Sequence, residues 1–262
     1  MPVSPRSPVT PIAEQRFYEI DRLVRGHAFD IHNQFGRLLD EIVYKRELLR
    51  RCQASGLDIL AEYKITFTLG AFEKDYFIDL LIENGVPLEV KAAKCISAQH
   101  RAQAMHYLFS IDQLHGILLN FRPASIEHEF ISTTHHRESR AGYKIDATRW
   151  YVLCPEMETL REYMTGALAE WGALLDLQLY RDFLGFQFGG IKPVDILSEG
   201  RVIGQHKVLM IDEHIAFSVT AVTESPDRMR AHLRRFLRQT RLRAIAWINM
   251  NRLKISFETI AP

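Results

Sequence analysis

Cysteine is scarce in this chain: Cys52, Cys95 and Cys154 stand far apart, with no Cys-x-x-Cys among them. An odd, unpatterned count excludes a disulfide framework and a thiolate zinc site, and leaves three reduced thiols in packed positions. Long apolar runs are missing too, so no segment reaches bilayer-spanning length and no membrane partner is expected. The N-terminal stretch MPVSPRSPVTPIAEQR holds Pro and Ser but no apolar signal core, and reads as a flexible tail on a cytoplasmic protein. There is no P-loop, no Gly-x-Gly-x-x-Gly and no Gly-x-Ser-x-Gly elbow, which removes nucleotide-cofactor and serine-hydrolase chemistry. Excess charge is also lacking. With a formal net charge of +1, any contact with nucleic acid must come from local patches. What is present suffices for a sizeable core: 262 residues, 47% of them hydrophobic, suit one large or two small domains.

The most informative stretch is Tyr76 to Tyr107, YFIDLLIENGVPLEVKAAKCISAQHRAQAMHY. Phe77 to Ile82 is apolar apart from Asp79, the pattern of a strand buried on both faces. Val86 to Val90 repeats it with Glu89. A lone carboxylate in such a strand is costly unless something pairs with it, and two in adjacent strands suggest a shared cation. The turn between them decides the geometry. A two-residue Asn84-Gly85 loop would send the two acids to opposite faces. A three-residue loop, with Gly85 in the left-handed position, sets Asp79 opposite Glu89. Lys91, two residues on, then joins the same face. Mg²⁺ takes one or two carboxylates and completes its shell with water and substrate phosphate. A neighbouring lysine can orient or deprotonate that water and stabilise developing charge. Gln103 and Tyr107 share one helix face and can hold the lysine, the water or a phosphate. The plainer alternative is a pair of strand-end acids facing solvent.

Asp79, Glu89-x-Lys91 and Gln103-x-x-x-Tyr107, in a strand–turn–strand–helix context, resemble the PD-(D/E)XK nuclease superfamily, with the Gln/Tyr helix of its RecB-like branch. More closely, residues ~25–133 resemble the bacterial GxxExxY proteins by motif order and context. Their helix reads roughly H-x-x-L-G-x-G-L-L-E-x-V-Y, against His32-Asn-Gln-Phe-Gly36-Arg-Leu38-Leu39-Asp40-Glu41-Ile-Val-Tyr44 here. The glycine that gives the family its name is Leu38 in this chain, while Gly36, Glu41 and Tyr44 are kept. The resemblance implies a restriction-endonuclease-like core, with Asp79 and Glu89 as metal ligands for Mg²⁺ or Mn²⁺. It further implies Lys91 as catalytic lysine and Glu41 as an accessory acid. Glu41 could equally be a surface acid.

Helices are expected from about Pro11 to Arg25, stopped by Gly26, and from about Phe29 to Ser55, stopped by Gly56. Leu57 to Leu69 reads as an entry loop and strand, and Ser97 caps a helix to about Asp112. Leu114 to Phe121 reads as a buried strand parallel to the Glu89 strand, and Glu127 to Thr133 as an edge strand. Residues 134–149 are polar, without period, and read as a linker.

The second half reads as a faded copy of the first. Gly36-RLLDEIVYKREL matches Gly172-ALLDLQLYRDFL, and Asp58-Ile-Leu-Ala-Glu62 matches Asp195-Ile-Leu-Ser-Glu199. Between that point and the hairpin the copy is eight residues shorter; Leu80, Leu108 and Asn120 then match Leu209, Leu237 and Asn249. Through that alignment Asp79 becomes Val208, Glu89 Ser218, Lys91 Thr220, Gln103 His232, Tyr107 Phe236 and Glu41 Leu177. The segment Arg228 to Arg243 holds seven arginines and no acid. On a helical wheel Arg230, Arg234, Arg235, Arg238 and Arg241 cluster opposite an apolar face, which suits gripping phosphates without reading sequence. The expected architecture is therefore α/β: two tandem restriction-endonuclease-like domains, each a mixed sheet flanked by helices, forming an internal pseudo-dimer. The boundaries are 1–133 for the intact domain, 134–149 for the linker and 150–262 for the degenerate copy. The expected function is metal-dependent cleavage of nucleic acid, DNA before RNA, by a monomeric pseudo-dimer or a homodimer. A catalytically silent nucleic-acid-binding or protein-interaction protein on the same fold is the alternative.

Overall fold

The computed structural model describes residues 3–5 and 7–262; Met1, Pro2 and Arg6 of the expected tail lie outside them. The chain divides into two compact units, Met1–Arg137 and Glu138–Pro262. Among the described residues no helix is long and apolar enough to cross a membrane.

The first unit runs β1 (Val3–Pro5), α1 (Glu14–Phe35), α2 (Glu41–Ala54), β2 (Ile59–Leu69), β3 (Phe72–Ile82), β4 (Val86–Lys91), α3 (Ala98–Ser110), β5 (His115–Asn120) and β6 (Glu127–Ser132). Within the expected tail, Val3–Pro5 pairs antiparallel with β2. Gly26, expected as a helix stop, lies inside α1. Phe17, Ile20, Val24, Ala28 and Ile31 continue a buried helical stripe across it, and their burial outweighs the ~1 kcal/mol that a mid-helix glycine costs. The chain breaks instead at Gly36, whose φ of 69° and ψ of −156° only glycine adopts readily. The Tyr44 hydroxyl locks that break. It donates to the Gly36 carbonyl at 2.8 Å and accepts from the Leu39 N–H at 3.1 Å, while the ring stacks on Phe121.

The strands form one sheet in the order β1-β2-β3-β4-β5-β6. Only β4 and β5 run parallel, joined by the α3 crossover as expected, and β6 is an edge strand. The β3–β4 hairpin pairs Ile82 with Val86, so its loop is the three residues Glu83-Asn84-Gly85. The left-handed residues are Glu83 and Asn84, with φ of 50° and 53°, rather than Gly85. Gly85 is needed for space: a Cβ there would collide with the Ile12 side chain and the Thr10 carbonyl, which lie against the turn. Gly85→Ala is therefore expected to destabilise the unit by ~1–3 kcal/mol, read by urea denaturation, because backbone cannot yield as a flexible side chain can. An unchanged midpoint would mean that the segment at Thr10 does not pack there.

After α4 (Arg137–Ala141), which starts at the last residue of the first unit, the second unit runs β7 (Lys144–Arg149), α5 (Pro155–Trp171), α6 (Leu177–Gln187), β8 (Ile191–Ser198), β9 (Arg201–Met210), β10 (Ile215–Thr220), α7 (Pro226–Arg238), β11 (Ala244–Asn251) and β12 (Lys254–Ile260). The stretch 134–149 thus carries a helix and a strand where a linker was expected. β7 is an edge strand, exposed along most of its length, so it shows no alternation to read. The second sheet has the order β7-β12-β11-β10-β9-β8. Leaving aside β1 and β7, both sheets share strand order and strand sense. They share register too: Leu80 faces Leu88 as Leu209 faces Phe217, and Lys91 faces Asn120 as Thr220 faces Asn249. One sequence match fails. Leu80 pairs with Ala61, but Leu209 pairs with Ile191, so Asp195–Glu199 lies further along its strand than the counterpart of Asp58–Glu62. Most of the shortening falls between Tyr180 and Ile191, where α6 is the shorter helix.

Candidate active site

The site forms where β3 and β4 part. Their backbone ladder ends at the Leu80–Leu88 pair. One residue further on, side chains take over the hydrogen bonds. The Asp79 N–H donates to Glu89 Oε1 at 3.1 Å, and the Val90 N–H donates to Asp79 Oδ2 at 2.9 Å. Each carboxylate thus replaces a backbone partner on the opposite strand, which brings the two acids together at the opened end of the hairpin. Lys91 Nζ donates to Glu89 Oε2 at 3.0 Å. Glu41, at the start of α2, reaches over to accept from the Ala92 N–H at 3.2 Å, next to Lys91. On α3, Gln103 Nε2 donates to the Tyr107 hydroxyl at 3.1 Å. Tyr107 is buried close enough to Glu89 and Asp79 to feel their charge. Access is one-sided: the Asp79 side chain keeps 13% exposure and Glu89 3%.

Electrostatics follow from that burial. Desolvation, helped by the negative charge of Asp79, pushes the Glu89 carboxyl up to about 8, against the pull of Lys91. Burial would lower the Lys91 ammonium, but Glu89, Asp79 and Glu41 outweigh it and raise the pKa. Lys91 is therefore a held positive charge in this state, suited to orienting and stabilising rather than to accepting a proton. Burial and the nearby carboxylates also raise the Tyr107 phenol.

Sequence reading missed two residues that the structure brings to these acids and to the chain after Lys91. Lys45, on α2, sits 3.0 Å from Asp79 Oδ1 and also binds Glu62 Oε1 on β2. Burial pulls its pKa down, but hydrogen bonds to Glu62 and Asp79 more than compensate and raise it. Asn120 is a second omission. Its side chain bridges both polar groups of the Ala93 backbone and Glu127, fixing the chain just after Lys91.

Among the described residues, no three His, Cys, Asp or Glu side chains are grouped to hold a metal. The Asp79–Glu89 pair still fits a hard divalent cation. It offers carboxylate oxygens from two strands, the hard donor set that such a cation takes.

The second unit lacks this chemistry at the matching places. Thr220, opposite Asn249, donates to its side chain at 2.9 Å and accepts from the Trp247 indole at 2.8 Å. Asn249 bridges the Val222 backbone as Asn120 bridges Ala93. Arg181, aligned with Lys45, donates to the Val219 carbonyl at 2.9 Å. Of the arginines assigned to phosphates, Arg230 is spoken for: it makes a two-pronged ion pair with Glu258 and a further bond to Asp227. Arg234, Arg235 and Arg238 are exposed on α7. Arg241 is exposed but lies beyond the helix, which ends at Arg238, so it belongs to the following turn.

Two carboxylates and the Lys91 ammonium thus converge where two strands of a mixed sheet part. Residues 18–132 match the model of the PD-(D/E)XK nuclease superfamily, so the first unit carries a domain of that superfamily, whose members are generally metal-dependent nucleases. The matched span holds every residue of this site and stops short of the second unit. Comparisons with curated proteins and with solved structures gave no match.

Proposed function

We propose that the first unit hydrolyses phosphodiester bonds in nucleic acid, DNA in preference to RNA, with Mg²⁺ or Mn²⁺ as cofactor. The observation that carries this is the meeting of Asp79 and Glu89 at the parted strands, with Lys91 3.0 Å from Glu89. Asp79 and Glu89 would hold the cation, whose chemistry is to polarise a phosphoryl oxygen and acidify a bound water. Lys91, kept protonated by its acidic neighbours, faces charge developing on the phosphoryl group. Gln103 and Tyr107 brace the α3 side of the site, and Glu41 fixes the backbone after Lys91 and serves as an accessory acid. The closer likeness to GxxExxY proteins finds support in Gly36 and Tyr44, which together make the break between α1 and α2 that aims Glu41 at Ala92. Incubating the purified chain with single-stranded, nicked and duplex DNA in Mg²⁺ or Mn²⁺ tests the reading. Intact substrates throughout would defeat it.

We read the second unit as a copy of the same fold that lost its acids and grips nucleic acid. Its shared strand order and register support the kinship. The exposure of Arg234, Arg235, Arg238 and Arg241 supports the grip. Reversing Arg234, Arg235 and Arg238 to Glu is expected to weaken DNA binding by at least ~10-fold and to flatten the log–log salt slope by roughly two to three. Unchanged affinity and slope would leave the unit a purely structural role.

A further inference from the structure

We infer that Lys45 is a tethered counter-ion that competes with the divalent cation for Asp79, and that Glu62 is the seat to which it withdraws. This rests on the cation site proposed above. The ammonium touches Asp79 at 3.0 Å and Glu62 at the same time. Its two partners differ in kind. Asp79 is 13% exposed and bound to the opposite strand through its other oxygen, whereas Glu62 is 55% exposed and lies on β2. Each acid of the pair thus has its own ammonium, Lys91 for Glu89 and Lys45 for Asp79. The two ammoniums differ in freedom. Lys91 belongs to β4 itself and its ammonium binds the buried Glu89, while Lys45 approaches from a helix and already holds a second acid nearer solvent. A dication arriving at Asp79 displaces Lys45 from one carboxylate without stripping it of the other. The second unit fits this logic. Where Val208 aligns with Asp79, the residue aligned with Lys45 is Arg181, and its cationic head turns to the Val219 carbonyl instead.

The consequence is a pair of substitutions with opposite effects on cation affinity. Lys45→Met removes a competing charge next to Asp79, so Mn²⁺ is expected to bind at least ~10-fold tighter. Glu62→Gln leaves Lys45 with Asp79 as its only anionic partner, so Mn²⁺ is expected to bind several-fold weaker. A lysine and a glutamate that merely brace the fold would shift both variants in the same direction. In the double variant the effect of Glu62→Gln should shrink, since it acts through Lys45. The readout is Mn²⁺ titration followed calorimetrically on the full chain without substrate. Circular dichroism checks folding, and Glu62→Gln alters an exposed side chain, so it remains informative if Lys45→Met unfolds. Affinity unchanged or lowered in Lys45→Met, or unchanged in Glu62→Gln, overturns the inference alone. Absence of Mn²⁺ binding to the unaltered chain overturns both it and the proposed cation site.

Discussion

Asp79→Asn is expected to cut phosphodiester cleavage by at least ~10²–10³-fold, the scale on which a single lost electrostatic stabiliser acts in a closed site. The amide is nearly isosteric and its oxygen can still accept from the Val90 N–H, so the parted strands keep their shape. What disappears is one of the two charges that face each other across the hairpin. Lys45 keeps Glu62, so no ammonium is stranded. Single-turnover cleavage with circular dichroism on the same sample separates lost chemistry from lost fold. A folded variant within tenfold of the original rate would place Asp79 outside the reaction. Gln103→Ala, which removes a hydrogen bond to Tyr107 and no charge, should cost far less.

Stability without divalent cation is expected to fall as pH rises from about 5 to about 8, and Glu89→Gln should flatten that fall. In the folded chain burial and the charge of Asp79 hold the proton on Glu89 up to about 8, whereas an exposed glutamate releases it near 4.5. Between those values the folded state binds more protons, so raising the pH favours unfolding. Below the window both states are protonated, and above it both are ionised and the penalty is complete. The shift corresponds to a loss of order a few kcal/mol. Mg²⁺ favours the ionised carboxylate, so its stabilising effect should grow through the same window. Urea denaturation across the pH range, in chelator and in Mg²⁺, checks both signs. Parallel profiles for the original chain and Glu89→Gln would show that another group holds the proton.

Much of the placement of the candidate residues was legible because strands carry a simple rule. Apolar runs interrupted once, at Asp79 and at Glu89, mark two strands, of which the first is less buried than expected, with Phe77 left 46% exposed; the pairing of Ile82 with Val86 supplies the loop length that sets the acids opposite. The parallel strand at His115–Asn120 followed from its helical crossover. Three features were hidden. Gly26 looked like a helix stop because local propensity says nothing of a buried stripe that continues across it. The strand Lys144–Arg149 was hidden by exposure, which erases the alternation that marks a half-buried strand. Asp195–Glu199 matched Asp58–Glu62 by letters, but the strand pairing refuses it. Lys45 escaped for a different reason, since a helix lysine meeting a strand acid is a long-range contact without local pattern. The sequence alignment did carry a trace of it: the residue of the second unit that aligns with Lys45 is also a cation, Arg181.

Crystals grown with Mn²⁺ and measured for anomalous scattering would test the central claim most directly. A peak lying between the carboxylates of Asp79 and Glu89, and absent in Asp79→Ala, is the predicted result. Peaks elsewhere only, or a site that persists without Asp79, would contradict it.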